Sequence, residues 1–374
     1  MRKSDYQPLG KYIEQVNVRN RDLTVTNLMG VSIEKRFIPS IANTIGTDLS
    51  PYKIVKPGQF AYGPVTSRNG DKITIALYNG NEDCIISQAY EAFRIKDTTQ
   101  LLPEYLMMWA KRPEFDRYAR YMSHGSVREL FSWEEMCNVM LPVPPIEEQR
   151  RIVSEYQTVE HRIANNEALI QKLEETAQAI YHHTFVEGID EENLPEGWRK
   201  GCLEDIAIII MGQSPNGNSL NEEGRGDIFY QGRTDFGFRY PNVRVFSEAS
   251  TRYAEQKDIL MSVRAPVGDL NIAPFKCAIG RGISAIREKR SRNSFIFYLL
   301  KEKKKELKIS DDAGTVFGSI NKEGLHSLPL IVPSDNDIER FHSQVSLIDK
   351  YIESLSFESF HLRTLLSLLT SKLS

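Results

Sequence analysis

Glycine and proline are absent from two long stretches of this chain, residues 146–187 and 338–373, although the whole sequence holds 23 Gly and 17 Pro. Gaps of that length exclude short strands and tight turns there and leave continuous helix. Cysteine is scarce as well. Cys84, Cys137, Cys202 and Cys277 lie far apart with no CxxC or Cys/His cluster, which excludes a disulfide framework and a zinc site. No run approaches the roughly 18 apolar residues that a membrane-spanning helix needs. The N-terminus MRKSDYQPLG has no apolar signal core, so the expected location is the cytoplasm, with no membrane partner. Neither G-x-x-x-x-G-K-[ST], nor an Asn/Asp-Pro-Pro-Tyr tetrad, nor His-Glu-x-x-His occurs, and Gly280-Arg281-Gly282 is too short for a dinucleotide fingerprint. These absences disfavour a phosphate-loop ATPase, an adenine methyltransferase and a zinc protease, and call for no bound cofactor or metal.

What remains is heptad order. After Pro142, Pro144 and Pro145, which suit the start of a helix but not its interior, apolar residues recur at spacings of four and three. Ile152, Val159, Leu173 and Ile180 take one position of the repeat and Tyr156, Ile163, Ile170 and Ala177 the other, with Asn166 as a polar interruption. Such a helix of about 38 residues would be about 57 Å long. A narrow seam of that length needs a partner helix. The second glycine-free stretch supplies one: Phe341, Ile348, Leu355, Leu362 and Leu369, with Val345, Ile352, Leu366 and Leu373, Ser359 being the exception. The seams superpose at an offset of 189 residues, Ile152 on Phe341 and Leu173 on Leu362. The offset continues upstream through Pro144 and Pro333 to the segments beginning at Gly125 and Gly314, which exposes an internal duplication.

The chain accordingly divides into residues 1–140, a first mixed α/β domain; 141–185, a central helix; 186–333, a second such domain; and 334–374, a C-terminal helix. Short strands are expected at 23–25, 53–55, 59–62, 72–77 and 84–86, and a helix punctuated by Pro113 follows Pro103. In the second domain Leu203 aligns with Leu9, Ile206 with Tyr12, and residues 258–270 with 58–65. Residues 294–307 take the place of the first domain's helix. Short connections favour an antiparallel helix pair with a module at each end and a pseudo-twofold axis. The expected class is α+β, and such a plan suits a bipartite target like duplex DNA. Net charge is +2 over 1–140, −3 over 141–185, zero over 186–333 and −2 over 334–374, so acidity sits on the helices.

Several segments in this order resemble the specificity subunits of type I restriction–modification enzymes. LPVPPIEEQRRIV at 141–153 looks like that family's lead-in to its central helix. GDIFYQGRTDFG (226–237), DILMSVRAPVGDL (258–270), GRGISAI (280–286) and AGTVFGSINKEGLHSLPLIVP (313–333) look like its second target-recognition domain, and FAYGPV (60–65) with ISQAYEAFRI (86–95) like a form of its first. The resemblance covers nearly the whole chain. One departure is that Ile338 stands where the duplication would repeat Gln149, and Ser334 where it would repeat Pro145. The resemblance implies a non-catalytic reader of double-stranded DNA, one half-site per domain, with the helices setting the gap. It implies docking to two modification (methyltransferase) subunits, joined by restriction (motor-nuclease) subunits. S-adenosylmethionine, ATP and Mg would bind only to those partners.

Base reading in the major groove needs Arg or Lys for guanine and Asn or Gln for adenine. The candidates are Tyr62, Arg68, Asn69 and Gln88 in the first domain, at strand ends and turns. In the second they are Tyr230, Gln231, Arg233 and Arg239 in a Gly- and aromatic-rich loop, Arg264 before Ala265-Pro266, and Arg281 between glycines. Lys301–Lys308 with interleaved acids reads as a solvated helix face, and His182-His183 as a helix C-terminal charge rather than a metal site. Two other classes stay open: a protein-binding coiled-coil scaffold with no DNA recognition, and an enzyme with an unfamiliar site.

Overall fold

The computed structural model describes residues 6–41, 46–67, 70–124, 129–312 and 319–373, without the side chains of 305–312. They form two compact units, Met1–Ala164 with Phe360–Ser374, and Asn165–Ser359. The central helix, Ile146–Phe185, and the C-terminal helix, Asp335–Ser371, each pass from one unit to the other.

In the first unit strand Tyr6–Pro8 pairs with Met140–Pro142 directly before the central helix. A four-stranded antiparallel sheet runs in the order Ile13–Val16, Glu91–Ile95, Phe60–Tyr62, Ile75–Leu77. Helices Pro103–Ala110 and Pro113–Tyr121, each opened by its proline, bury Leu106, Trp109 and Phe115 against the sheet's Phe60 and Phe93. Strand Cys84–Ile86 pairs with Lys53–Val55. No strand forms at Leu23–Val25. Asn20 brackets that segment with two side-chain bonds to the Val25 backbone, and Leu23 takes φ 56°, so local bonding replaces a ladder.

The second unit repeats the plan with other residues. Arg199–Cys202 pairs with Pro329–Val332 before the C-terminal helix, and the four-stranded sheet runs Ala207–Met211, Ile283–Glu288, Ile259–Ser262, Leu270–Ile272. Single bonds repeat too. The Leu9 amide donates to the Val139 carbonyl, as Leu203 does to Leu328. Lys96 donates to Tyr12 as Lys289 does to Ile206, and Phe131 to Pro64 as Ile320 does to Val263. The bridge between Val65 and Leu130 matches that between Arg264 and Ser319. The second unit adds a five-stranded sheet, in which Cys277–Ile279 holds the place of Cys84–Ile86 and Tyr253–Ala254 that of the Lys53–Val55 strand.

The helices run antiparallel within each unit. In the second unit Asn166 donates to Ser359, Ile170 packs with Ile352 and Leu355, and Tyr181 meets Phe341 with ring centroids 5.7 Å apart. Partner numbers thus fall as those of the central helix rise. In the first unit Val153, Tyr156 and Leu373 share one core, with Ile152 and Leu366 packed against it. The seam residues Tyr156, Ile163, Ile170, Ala177, Phe341, Val345, Ile352 and Leu355 are buried, while Ile152, Val159, Leu173, Ile348 and Leu362 are half-buried. At both ends the buried stripe rolls off the heptad, to Val153 and to Tyr181 and Phe185, where the helix also seals a domain core.

Candidate nucleic-acid interface

In the second unit five backbone segments converge at one end of the sheets, held by main-chain bonds. Gly280 donates to the Tyr230 carbonyl at 2.8 Å, Gln213 to Ile279 at 3.0 Å, Ile279 to Arg252 at 3.0 Å, and Val263 to Gly282 at 3.0 Å. The Arg281 amide adds a bond to the Ser214 hydroxyl. Convergence this tight needs glycine: a Cβ on Gly212 would stand 2.2 Å from the Gly280 carbonyl oxygen, and one on Gly282 2.8 Å from that of Gln231. These glycines therefore close loops on one another, whatever else approaches them.

The convergence gathers polar side chains that point outward. Gln213, Ser214, Gln231, Thr251, Arg252, Arg264 and Arg281 are all exposed. Arg252, Arg264 and Arg281 have no carboxylate partner among the described residues, unlike their neighbours. Arg233 is ion-paired with Asp269 at 2.6 Å, and Lys304 holds the same carboxylate at 2.7 Å. Burial pushes the Asp269 carboxyl up, but these two cations bring it below the usual carboxylate range. Arg244 pairs with the buried Asp235 at 3.0 Å. Exposed guanidiniums left without counter-charge are suited to an anionic or acceptor-rich ligand, and amides beside them to base edges.

The sequence places Gln231, Arg233, Arg264 and Arg281 in this cluster and misses Gln213, Ser214, Thr251 and Arg252. Those four join it through strand pairing, which no local motif announces. Three candidates are corrected. Tyr230 and Tyr62 are fully buried, each the last residue of its strand and packed into a hydrophobic core, so neither offers a ring to a base. Burial also pushes both phenols above their usual range. Arg239 is 1% exposed and turned inward, towards Glu174 at 3.1 Å and Asp349, with its guanidinium 4.4 Å over the Phe297 ring. In the first unit Gln88 is exposed just after strand Cys84–Ile86, and Thr66 accepts from Arg120, which is paired with Glu129. Arg68 and Asn69 lie outside the described residues, as do the starts of the segments at Gly125 and Gly314.

The lysine run is partly tied down, Lys301 to Glu174 at 3.0 Å and Lys304 to Asp269. His182 meets Glu302 at 3.2 Å and His183 meets Glu187 at 2.8 Å. Among the described residues no group of three or more His, Cys, Asp or Glu could hold a metal ion, and no helix is long and apolar enough to cross a membrane.

Residues 195–359 match the family described as type I restriction modification DNA specificity domain. The chain thus carries a type I restriction–modification DNA specificity domain, and the relatives it matches are specificity subunits of such systems. A putative type I restriction enzyme MjaX specificity subunit of Methanocaldococcus jannaschii is 29% identical over 75% of this chain and 69% of its own length. The HindI specificity subunit of Haemophilus influenzae is 21% identical over 86% of both. The crystal structure of the type I system S subunit from M. genitalium has the same fold, with TM-score 0.60 at 15% identity over 98% of this chain and 95% of that one. The matched domain and these relatives support the role of a DNA-recognition component of a restriction–modification complex, not the catalyst in it.

Proposed function

We propose that this specificity subunit reads a split duplex sequence. Residues 1–140 and 186–333 each engage one half-site, and the helical segments 141–185 and 334–374 set the gap. Adenine methylation, or cleavage, is carried out by two modification subunits and by restriction subunits docked on it, in the cytoplasm. Those partners, not this chain, bring S-adenosylmethionine, ATP and Mg. The observation that carries the reading is the outward cluster of Arg252, Arg264 and Arg281 with Gln213 and Gln231, in a domain whose plan occurs twice. Phosphate contacts orient a protein on DNA and base-edge contacts specify the sequence, and this cluster holds donors suited to both. Docking is supported by the C-terminal helix, which leaves Leu347 and Tyr351 exposed in the second unit and Leu365 and Leu368 in the first. The test is co-expression with the neighbouring genes, followed by base-resolution mapping of adenine methylation. The expected result is one motif of two short half-sites with a fixed gap. No such motif, and no methyltransferase co-purifying, would leave the protein-binding scaffold as the better account.

A further inference from the structure

The duplication allows the two domains to be compared position by position. Arg264 follows Val263, whose carbonyl accepts from Ile320; in the first domain Pro64 accepts from Phe131, so Arg264 corresponds to Val65. Arg281 lies two residues beyond strand Cys277–Ile279 and Gln88 two beyond Cys84–Ile86, so those two correspond. Arg252 precedes Tyr253 on the strand that pairs with Cys277–Ile279, and the matching register places Lys53 there. Lys53 differs from Arg252 in kind: its side chain is 4% exposed, ion-paired with Glu91 at 2.8 Å and bonded to the Tyr90 carbonyl. At the three positions where the second domain extends an unpaired guanidinium, the first has an aliphatic side chain, an amide and a buried ion pair.

Arginine and amide side chains make different choices on base edges. A guanidinium fits the paired acceptors of guanine, and a primary amide fits the donor–acceptor pair of adenine. From this unlike chemistry we infer that the two half-sites are read differently: the second domain requires guanine through Arg264 and Arg281, and the first makes its corresponding contact through Gln88. This rests on the DNA-recognition reading above and adds the division of labour within it. Arg252, on the neighbouring strand, is then left for the backbone.

The test uses the full chain co-expressed with its modification partner, and methylation maps from wild type, Arg264→Gln, Arg281→Gln and Gln88→Ala. All three side chains are exposed, so the fold should tolerate the changes, and the untouched half-site in each map serves as the internal check. The expected result is that each arginine variant loses a guanine requirement, by tenfold or more in relative methylation, within one and the same half-site. Gln88→Ala should relax only the other half. Guanine preference unchanged in both arginine variants, or methylation falling evenly over all sequences as phosphate anchors would give, overturns the inference while leaving a split motif in place. A wild-type map with no split motif instead overturns the DNA-recognition reading, and this inference with it.

Discussion

A guanidinium sealed among carboxylates and rings is a different object from one at a strand end, and Arg239 is the sealed kind. Burial alone would lower its pKa, but Asp349, Tyr298 and Glu174 raise it above the ordinary value, so the charge is kept. Removing one member of a buried pair leaves the other charge uncompensated, typically at about 3–5 kcal/mol. Arg239→Met should therefore lower the unfolding free energy, measured by denaturant titration, by an amount in that range. Arg264→Met, exposed and unpaired, should change it by under about 0.5 kcal/mol. Equal midpoints for the two variants would refute the distinction drawn from burial. His342 gives a pH-dependent counterpart. It borders a cavity of about 480 Å³ together with Asp349 and Lys350, and its Nδ1 is buried with no hydrogen-bond partner among the described residues. Burial holds its imidazole below 6.5, helped by Arg292 and opposed by Glu339, Asp349 and Glu288. The unfolded chain consequently takes up this proton first as pH falls. Stability from the neutral ring is complete above the ordinary value and is lost as pH drops from there towards the native value. Unfolding measured at about pH 7.5 and about pH 5.5 should show a smaller acid loss in His342→Gln than in wild type.

At the scale of elements, the two helices start differently despite the duplication. Gln149, with no exposed surface, accepts from the Leu102 amide and donates to the Gln100 and Pro144 carbonyls, each at 2.9 Å. In the second copy Ile338 is buried instead. Ser334 and Asp337 cap the helix, and the Trp198 indole donates to Asp337 at 2.8 Å. Gln149→Leu would strand three backbone groups, each worth roughly 1–3 kcal/mol when unsatisfied. It should speed hydrogen exchange at Leu102 by well over tenfold; unchanged exchange there would mean that the glutamine is not the clamp. Much of this level is legible in the sequence. The heptad seam, the proline-opened helices and the short strands at 53–55 and 84–86 follow from local period and punctuation. The alignment of Leu203 with Leu9 anticipates the repeated backbone bond. What is not legible depends on long-range pairing. Tyr62 and Tyr230 read as surface aromatics until the sheets bury them. Arg252 and Gln213 have no motif and reach the cluster only because their strands flank Cys277–Ile279 and Ile283–Glu288. Arg239 resembles any loop arginine until two helices close over it.

For the whole molecule, the helix pair is a ruler in the proposed reading, and its polar mark is Asn166 on Ser359, both 2% exposed in an otherwise apolar seam. A buried polar pair of this kind fixes register at some cost in stability. Changing both to leucine should leave the unfolding free energy unchanged or raise it by about 1 kcal/mol, so the pair contributes pairing specificity more than strength. Length is the other variable. One extra heptad inserted at matched positions in both helices keeps the seam nearly in phase and adds about 10.5 Å at 1.5 Å per residue. That is about three base pairs at 3.4 Å each. The methylated motif should then keep both half-sites and widen its gap by about three base pairs, whereas a heptad in one helix alone would put the seams out of register and abolish methylation. A gap that stays fixed after the paired insertion would show that something other than the helices measures it. The recognition chemistry at the strand ends would survive that result, because it depends on Arg264, Arg281 and Gln88 and not on the distance between them.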